Sequence, residues 1–284
     1  MSIWYSRYTL VPRRRLSAVA GDAAREGALL RVDDGFADVH PWPELGDLPL
    51  SAQLALLARG QTTALTRASL EFARTDGEAR RRGVSLFEGL TIPESHWPGA
   101  EPPEAFDTVK LKTADVIPPR VRLRLDFNAT LTADEFVRIA ETLPRERVDF
   151  VEDPCAYDAD QWRMLSERTG LRLAFDRAGT RRGPGAFAVL VHKPSRGVAL
   201  PRFNGEFVVT SSMDHPVGQF GAAYVAAQHA QDVSARCGLF THVLYEPNEF
   251  FARVRADGAR LLPPEGTGIG FDELLEAQSW TRLQ

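Results

Sequence analysis

Short apolar segments that each end in charged residues recur along the middle of the chain. They read FDTVKLK, RVRLRLD, VDFVED, LRLAFD and AVLVHK, and they fall between residues 106 and 193. Asp126, Glu152 and Asp176, near the ends of three consecutive segments, lie 26 and 24 positions apart. Such an interval suits one strand, a helix of about three turns and two short loops. Repeated strand and helix units predict a parallel sheet.

Helix signals fill only some of the gaps between these strands. Thr132 and Glu135 form a capping box ahead of an apolar stripe. The gap 113–125 is too short for a full helix, and prolines and glycines interrupt 194–207. We therefore expect an α/β fold, a modified (β/α) barrel from which some outer helices are missing.

The first part of the chain has a different pattern. Residues 3–11 and 27–40 predict strands, the second stretch folding about a glycine turn, and a helical stretch follows around 62–82. These signals predict an α+β domain in front of the barrel. The expected domains are the α+β capping domain 1–88, the barrel 89–254 with the active site, and a C-terminal segment 255–284 that returns toward the capping domain.

The acids at the strand ends indicate a metal site. In a barrel, the carboxyl ends of the strands meet at one mouth, so Asp126, Glu152 and Asp176 are expected to converge. Three carboxylates suit a hard cation such as Mg²⁺, with Mn²⁺ as an alternative, whereas zinc prefers histidine or cysteine. Each acid taken alone is more often a helix cap. Their regular order favours a shared metal site.

Lysines flank the acids in the sequence. Lys112 is the candidate base, because its neighbour Lys110, a metal ion and partial burial favour a neutral amine. Lys193 would close the opposite side and stabilise developing negative charge. On its own, the Lys110-Leu111-Lys112 tripeptide is usually a solvated strand edge. Only the combination with three acids indicates proton abstraction beside a carboxylate.

Four further positions are candidates for substrate contact or for structural roles. Arg124 and Asn128 share a strand face with Asp126, but they could equally pair with an acid and form a turn. Ser211 and Ser212 precede a helix predicted from about 217 to 235, where hydroxyls and backbone N–H groups can bind an anion or cap the helix.

Composition excludes several classes of protein. The chain has 284 residues, a net charge of -4 and no long basic stripe, so no nucleic-acid partner is expected. Cys155 and Cys237 lie far apart, which predicts neither a disulfide framework nor a zinc site and fits a reducing cytoplasm. The sequence contains no stretch of about 18 apolar residues, so no membrane span is expected. Oligomeric state is left open by these features.

The motifs together resemble the o-succinylbenzoate synthase family of the enolase superfamily. The segment REGALLRVDDGFADVHPWPELGD is similar to the capping segment of that family, and VKLK, LRLDFN, FVEDPC, AFD, VHKPS and TSSMDHPVG follow in the family order. The resemblance implies Mg²⁺ held by Asp126, Glu152 and Asp176, Lys112 as the base, and Lys193 facing the intermediate. It also places Ser211, Ser212 and Gly268 on the substrate side.

The implied activity is that of a lyase in menaquinone biosynthesis. It is the syn dehydration of 2-succinyl-6-hydroxy-2,4-cyclohexadiene-1-carboxylate to o-succinylbenzoate. Two alternatives remain. Racemisation of N-acylamino acids or epimerisation of dipeptides would use the same residues, and a barrel of another class would bind an acidic ligand without turnover. The chain departs from the family pattern at Asp38 and Asp214, where the family has glutamate, and at Arg177-Ala178, which follow the third predicted ligand.

Overall fold

The computed structural model describes residues 2–16, 20–176 and 186–284. The strands are β1 (Ile3–Leu10), β2 (Arg25–Val32), β3 (Gly35–Val39), β4 (Glu94–Ser95), β5 (Thr108–Leu111), β6 (Arg122–Asp126), β7 (Val148–Glu152), β8 (Leu173–Phe175), β9 (Val189–His192), β10 (Glu206–Val209), β11 (Arg236–Cys237), β12 (Arg255–Asp257), β13 (Arg260–Leu262) and β14 (Thr281–Arg282). The α-helices are α1 (Leu50–Ala58), α2 (Ala64–Arg81), α3 (Ala133–Thr142), α4 (Ala159–Thr169), α5 (Pro216–Gln228) and α6 (Asp272–Glu276). None of the helices described is long and apolar enough to cross a membrane.

The N-terminal strands form an antiparallel sheet in the order β14-β1-β2-β3. Helix α2 packs against β3, and it begins at the capping box that Thr63 makes with Thr66. Gly35 allows this packing, because a Cβ there would lie 2.7 Å from the backbone nitrogen of Gly77. The last strand, β14, pairs with β1 and carries the C-terminus back to this sheet. The exact domain limits stay a prediction.

Asp76 ties three parts of the structure together. Its side chain is fully buried, and Oδ2 accepts hydrogen bonds from Phe36 N at 2.8 Å and from Arg80 Nε at 2.7 Å. Its Oδ1 accepts from Ile269 N at 2.5 Å. One carboxylate therefore joins β3, α2 and the loop that precedes α6.

Replacing Asp76 by alanine is expected to lower the free energy of unfolding by about 3–5 kcal/mol, the usual effect of breaking a buried ion pair. The substitution leaves the Arg80 guanidinium and the backbone N–H groups of Phe36 and Ile269 without their acceptor. Denaturant titration measures the loss. Asp232→Ala is the matched control, since that carboxylate is 68% exposed and should change stability by less than about 0.5 kcal/mol. Equal losses in the two variants would contradict the assigned role.

Six parallel strands form the central sheet in the order β10-β9-β8-β7-β6-β5. Single parallel bridges continue it around the barrel: Phe207 with Val233, Thr210 with Gly238, and Trp97 with Val109. Since β11 pairs with β4 in parallel, these bridges connect β10 through β11 and β4 back to β5. The eight segments close a barrel in which the last two, β11 and β4, are joined to the six-stranded sheet by single bridges.

The outer layer is incomplete. Helices α3 and α4 cover β6, β7 and β8, with Phe136 and Trp162 fully buried beneath them. Between β5 and β6, and again between β9 and β10, the described residues contain no α-helix. The prediction of an α/β barrel with missing outer helices and an α+β domain in front of it is confirmed.

Helix α5 differs from its prediction at one end. It starts at Pro216 behind the cap residue His215, close to the expected start, so neither Ser211 nor Ser212 caps it. It ends at Gln228, whereas the sequence predicted about 235. The longer helix is wrong because Val233 bridges to Phe207, and the segment therefore turns toward β11.

Candidate active site

The charged side chains singled out in the sequence lie along one edge of the barrel. Asp126 and Glu152 are the last residues of β6 and β7, and they are direct partners in the strand register. Parallel strands turn their carboxyl ends to the same edge, so neighbouring strands bring the remaining groups beside this pair. These are Lys110 and Lys112 at the end of β5, Asp176 after β8 and Lys193 after β9.

Lys110 joins two of the carboxylates. Its Nζ lies 2.7 and 2.8 Å from the two oxygens of Glu152 and 3.0 Å from Oδ2 of Asp126. Lys112 Nζ donates to the same Asp126 oxygen at 2.5 Å. Both acids are 1% exposed, whereas the Lys112 side chain is 31% exposed. Of the two lysines, Lys112 is thus the more accessible to a substrate.

Asn128 fixes the orientation of Asp126. Its backbone N and its Nδ2 both donate to Oδ1 of Asp126, at 3.0 and 2.9 Å. Asn128 has a φ of 52°, a left-handed conformation that asparagine tolerates better than most residues. Its own Oδ1 is buried without a protein partner among the described residues. Asn128 therefore orients the Asp126 carboxylate, and its side-chain Oδ1 can still accept a hydrogen bond.

The third carboxylate pairs with the third lysine. Lys193 Nζ donates to Oδ2 of Asp176, and their side chains are 20% and 14% exposed. Oδ1 of Asp176 is buried and has no hydrogen-bond partner among the described residues. Arg177 and Ala178, the departures noted in the sequence, lie outside the described residues.

Electrostatics at the mouth are dominated by burial and by these ion pairs. Burial and the charge of Asp126 raise the pKa of Glu152, and the ammonium of Lys110, which donates to both of its oxygens, opposes this shift. Burial opposes the charge of Lys110, but Asp126 and Glu152 outweigh it and raise the pKa of Lys110 above its usual value. Asp126 behaves in the opposite direction, because Lys110 and Lys112 outweigh burial and lower its pKa. Lys110 therefore stays charged and is a fixed cation.

Asp126, Glu152 and Asp176 are the residues that could hold a metal ion. In the part of the chain that the structure describes, no three acidic, histidine or cysteine side chains are already arranged around one metal position. Each of these carboxylates is turned toward a lysine ammonium. Their hard oxygen atoms suit Mg²⁺, and Asp176 Oδ1 is free to ligate. The donor set fits a hard divalent cation.

Ser211 and Ser212 lie next to the strand ends, and each is bonded to another hydroxyl. Oγ of Ser211 lies 2.5 Å from Oγ1 of Thr241, and Oγ of Ser212 lies 2.5 Å from Oγ of Ser195. Trp42, from the capping domain, donates from Nε1 to the carbonyl oxygen of Ser212 at 2.9 Å. Ser195 was not singled out from the sequence, although it comes two residues after Lys193.

Arg124 lies inside the barrel with its donors engaged. Nε donates to Asp149 at 2.8 Å, Nη1 to the carbonyl of Arg236 at 2.7 Å, and Nη2 to Ser234 Oγ at 3.1 Å. Nη1 also lies 3.1 Å from Nδ1 of His96, which must accept, because a guanidinium only donates. The predicted contact of Arg124 with substrate stays a prediction, and these bonds favour a structural role.

Gly268 lies against the capping domain. Its N donates to Val84 O at 2.9 Å, and its carbonyl accepts from Leu86 N at 2.8 Å. Its φ of 54° and a virtual Cβ position 2.8 Å from Cγ of Arg80 both require glycine. No hydrogen bond described joins it to the lysines or carboxylates of the mouth, and its predicted place beside the substrate stays untested.

Lysine is rare in this chain. Only three of its 34 lysine and arginine residues are lysine, and they are Lys110, Lys112 and Lys193. Arginine supplies every other basic side chain, and arginine cannot give up its proton in a protein. The amine is therefore kept only at the barrel mouth. This count was a signal available in the sequence.

Two family models match successive parts of the chain. The one described as O-succinylbenzoate synthase, N-terminal domain, matches residues 3–79. The one described as Enolase C-terminal domain-like matches residues 90–194. A capping sheet followed by this barrel, with acids and lysines on successive strand ends, defines an enzyme of the enolase superfamily.

Full-length similarity gives the family within that class. The o-succinylbenzoate synthase of Bdellovibrio bacteriovorus is 35% identical over 327 aligned positions, which cover 100% of this chain and 99% of that protein. The chain belongs to the o-succinylbenzoate synthase family, whose members are lyases.

Solved structures share the fold at low sequence identity. A 2-chloromuconate cycloisomerase from Rhodococcus opacus 1CP has a TM-score of 0.75 and 17% identity, with 98% of each chain covered. A dipeptide epimerase from Cytophaga hutchinsonii has a TM-score of 0.74 and 11% identity, with 100% of this chain and 99% of that chain covered. At such identities the likeness shows the fold alone.

Proposed function

We propose that the protein removes water from 2-succinyl-6-hydroxy-2,4-cyclohexadiene-1-carboxylate to form o-succinylbenzoate, a step of menaquinone biosynthesis. One observation carries the assignment: all three lysines of the chain are paired with three buried or half-buried carboxylates at one barrel mouth. This arrangement combines a candidate base with groups that can bind a cation. The substrate is accordingly a small carboxylate.

Lys112 is the proposed base. As the more exposed lysine of its pair, it can reach a substrate that enters from the mouth. Its neutral amine takes the proton from the carbon beside the substrate carboxylate. The resulting ammonium then returns a proton to the departing hydroxyl group on the same face, so one water leaves by syn elimination. Formation of the aromatic ring drives the second step.

Lys193 and Lys110 have supporting roles in this proposal. Lys193 lies on the far side of the acids from Lys112, and its ammonium stabilises the negative charge that develops on the substrate carboxylate. Lys110 is held by Glu152 and Asp126 and remains a cation beside the base.

Asp126, Glu152 and Asp176 are proposed to hold Mg²⁺. When bound, this cation supplies Lewis-acid stabilisation of the enediolate formed after proton loss. Asn128 orients Asp126 for that task through its two hydrogen bonds. Ser211 and Ser212, with Ser195, are proposed to contact the anionic substrate through their hydroxyl groups. The Ser195 and Ser212 hydroxyls are hydrogen-bonded to each other, and Ser195 follows Lys193 by two residues.

Two assays test this function. Purified protein with Mg²⁺ and the cyclohexadiene carboxylate is expected to form o-succinylbenzoate, followed by the ultraviolet absorbance of the aromatic product. N-succinyl amino acids and dipeptides in deuterium oxide are expected to take up no solvent deuterium. Rapid exchange without dehydration would instead identify a racemase or epimerase. A protein that binds the substrate but catalyses neither reaction would be a binding barrel.

We also propose that the reaction takes place in the cytoplasm. Cys155 and Cys237 are both free and buried, and unpaired cysteines fit a reducing compartment. Fractionation of cells that express the tagged protein tests this location.

A further inference from the structure

A small cavity lies where the capping domain meets the barrel. Its volume is about 30 Å³, enough for about one or two water molecules. The lining includes Asp38 and His40 from the capping side, Ser195 from the turn after β9, and Asp214 from the loop after β10. The proposed mechanism uses neither aspartate and does not use His40.

The carboxyl groups of Asp38 and Asp214 converge on helix α5. A Cβ atom at Gly218 would lie 2.6 Å from Oδ2 of Asp38 and 2.8 Å from Oδ2 of Asp214. Glycine is therefore needed to make room for both groups. One acid comes from the capping domain and the other from the barrel, so the pair spans the junction.

The hydrogen bonds around the pair are incomplete. Asp38 accepts from the Tyr8 hydroxyl at 2.6 Å and from His215 N at 3.2 Å. Oδ1 of Asp214 and Nε2 of His40 have no hydrogen-bond partner among the described residues. Both residues are buried, with 1% and 2% of their surface exposed. Two acids this close cannot both carry a charge at low cost. A proton on one of them removes the repulsion.

Asp214 ends the loop that carries the two serines. Met213, just before it, has a φ of 52°, which a side chain other than glycine or asparagine rarely adopts. Such strain persists only where surrounding contacts impose it. The contacts here are Trp42 Nε1 on Ser212 O at 2.9 Å and the Tyr245 hydroxyl on Met213 O at 2.5 Å. Asp214, the next residue, is a further point at which this loop is held.

We propose that Asp38 and Asp214 share one proton and that the pair, as two positioning residues, holds the Ser211–Ser212 loop in its substrate-binding conformation. The inference rests on the proposed function, because it assigns those serines to the substrate.

The groups that face Asp38 and Asp214 do not supply a free positive charge that could take the place of the shared proton. Burial lowers the pKa of His40 and of His215 to about 3 each, so both rings are neutral. Burial also raises the pKa values of Tyr8 and Tyr245, which keeps both phenols neutral. The cations that act on Asp214 are Arg196 and Lys193. Those cations are already paired with Asp47 and Asp176.

Titration of the pair gives the direction of the pH effect. Burial raises the pKa of Asp214 to about 7, from about 3.9 in an unfolded chain. Folding therefore takes up a proton between these values, and the free energy of unfolding falls as pH rises from about 4 to about 7. Burial and the charge of Asp214 also raise the pKa of Asp38 well above its usual value. The pair therefore keeps one proton while Asp214 titrates, and both carboxyl groups become charged and repel each other only at higher pH.

The test follows KM of the wild type from pH 6 to pH 10. KM is expected to rise at alkaline pH, approaching about tenfold per pH unit once the last proton of the pair is lost, because the competent fraction falls by that factor. Asp214→Asn donates a hydrogen bond without titrating, so its KM should stay within about twofold over the same range. Asp232→Asn, the exposed control, should keep the wild-type rise. The maximal rate should follow the same pH profile in all three proteins.

Two results would overturn the proposal: a wild-type KM that does not change with pH, or an unchanged rise in Asp214→Asn. Thermal unfolding supplies a readout that needs no turnover. The wild-type melting temperature should fall between pH 5 and pH 8 by more than that of Asp214→Asn. If the wild type catalyses no dehydration but melts in this way, the proposed function fails while the shared proton stands. Equal melting shifts with normal turnover would contradict the shared proton and leave the proposed function intact.

Discussion

Lys112→Ala is expected to lower kcat for the proposed dehydration by roughly 10²- to 10⁴-fold, the range that a positioned general base contributes. The amine that takes the proton is gone, while Lys110 still neutralises Glu152 and Asp126. Initial rates of formation of the aromatic product, measured over a range of substrate concentrations, give kcat and KM separately. KM is expected to change much less than kcat, since the substrate is bound chiefly by other groups.

Lys112→Arg separates the base from the charge. Arginine keeps a cation near Asp126, but it cannot accept a proton at working pH. It should therefore be as inactive as the alanine variant and melt close to the wild type. Arg163→Ala is the matched control, because it removes a 60% exposed cation from α4 and should leave kcat unchanged. Full activity in Lys112→Arg would falsify the assignment of the base.

Local sequence signals predicted elements best where side chains act on their own backbone. The capping box of Thr132 and Glu135 is present at α3, with Glu135 accepting from Thr132 N at 2.8 Å. The end of α5 had no comparable signal, since its alanine-rich pattern continues beyond Gln228. A single bridge from Val233 to β10 decides that end. Such a long-range contact cannot be read from a local pattern.

The barrel mouth could be predicted because strand register is regular. Acids that end successive parallel strands become neighbours without further information, as Asp126 and Glu152 show. Arg124 shares their strand face but is bonded to Asp149, and a register shift between Leu123 and Arg124 accompanies this contact. Position on a strand face therefore predicts direction but not depth.

Contacts between the capping sheet and the barrel could not be predicted from the sequence. Asp38 lies on the capping sheet and Asp214 on the barrel, 176 positions apart, and Gly218 brings them to one point. The sequence marked both as departures from the family pattern but could not show that they meet. A paired change from glutamate to aspartate on both sides becomes meaningful only with the fold.

Removing divalent cations with a chelator is expected to lower turnover by at least about 10³-fold, since Lewis-acid stabilisation is worth several kcal/mol. Added Mg²⁺ should restore activity.

Asp126→Asn makes this expectation specific to the site. The amide keeps the shape of the carboxylate but loses the charge that a hard cation needs, so added Mg²⁺ should not restore turnover. Melting provides a readout without substrate, because a ligand of the folded state raises the melting temperature. Mg²⁺ should stabilise the wild type and the exposed control Asp232→Asn, and leave Asp126→Asn unchanged. Equal stabilisation of all three proteins would place the cation elsewhere, and full turnover in the chelator would exclude it from the reaction.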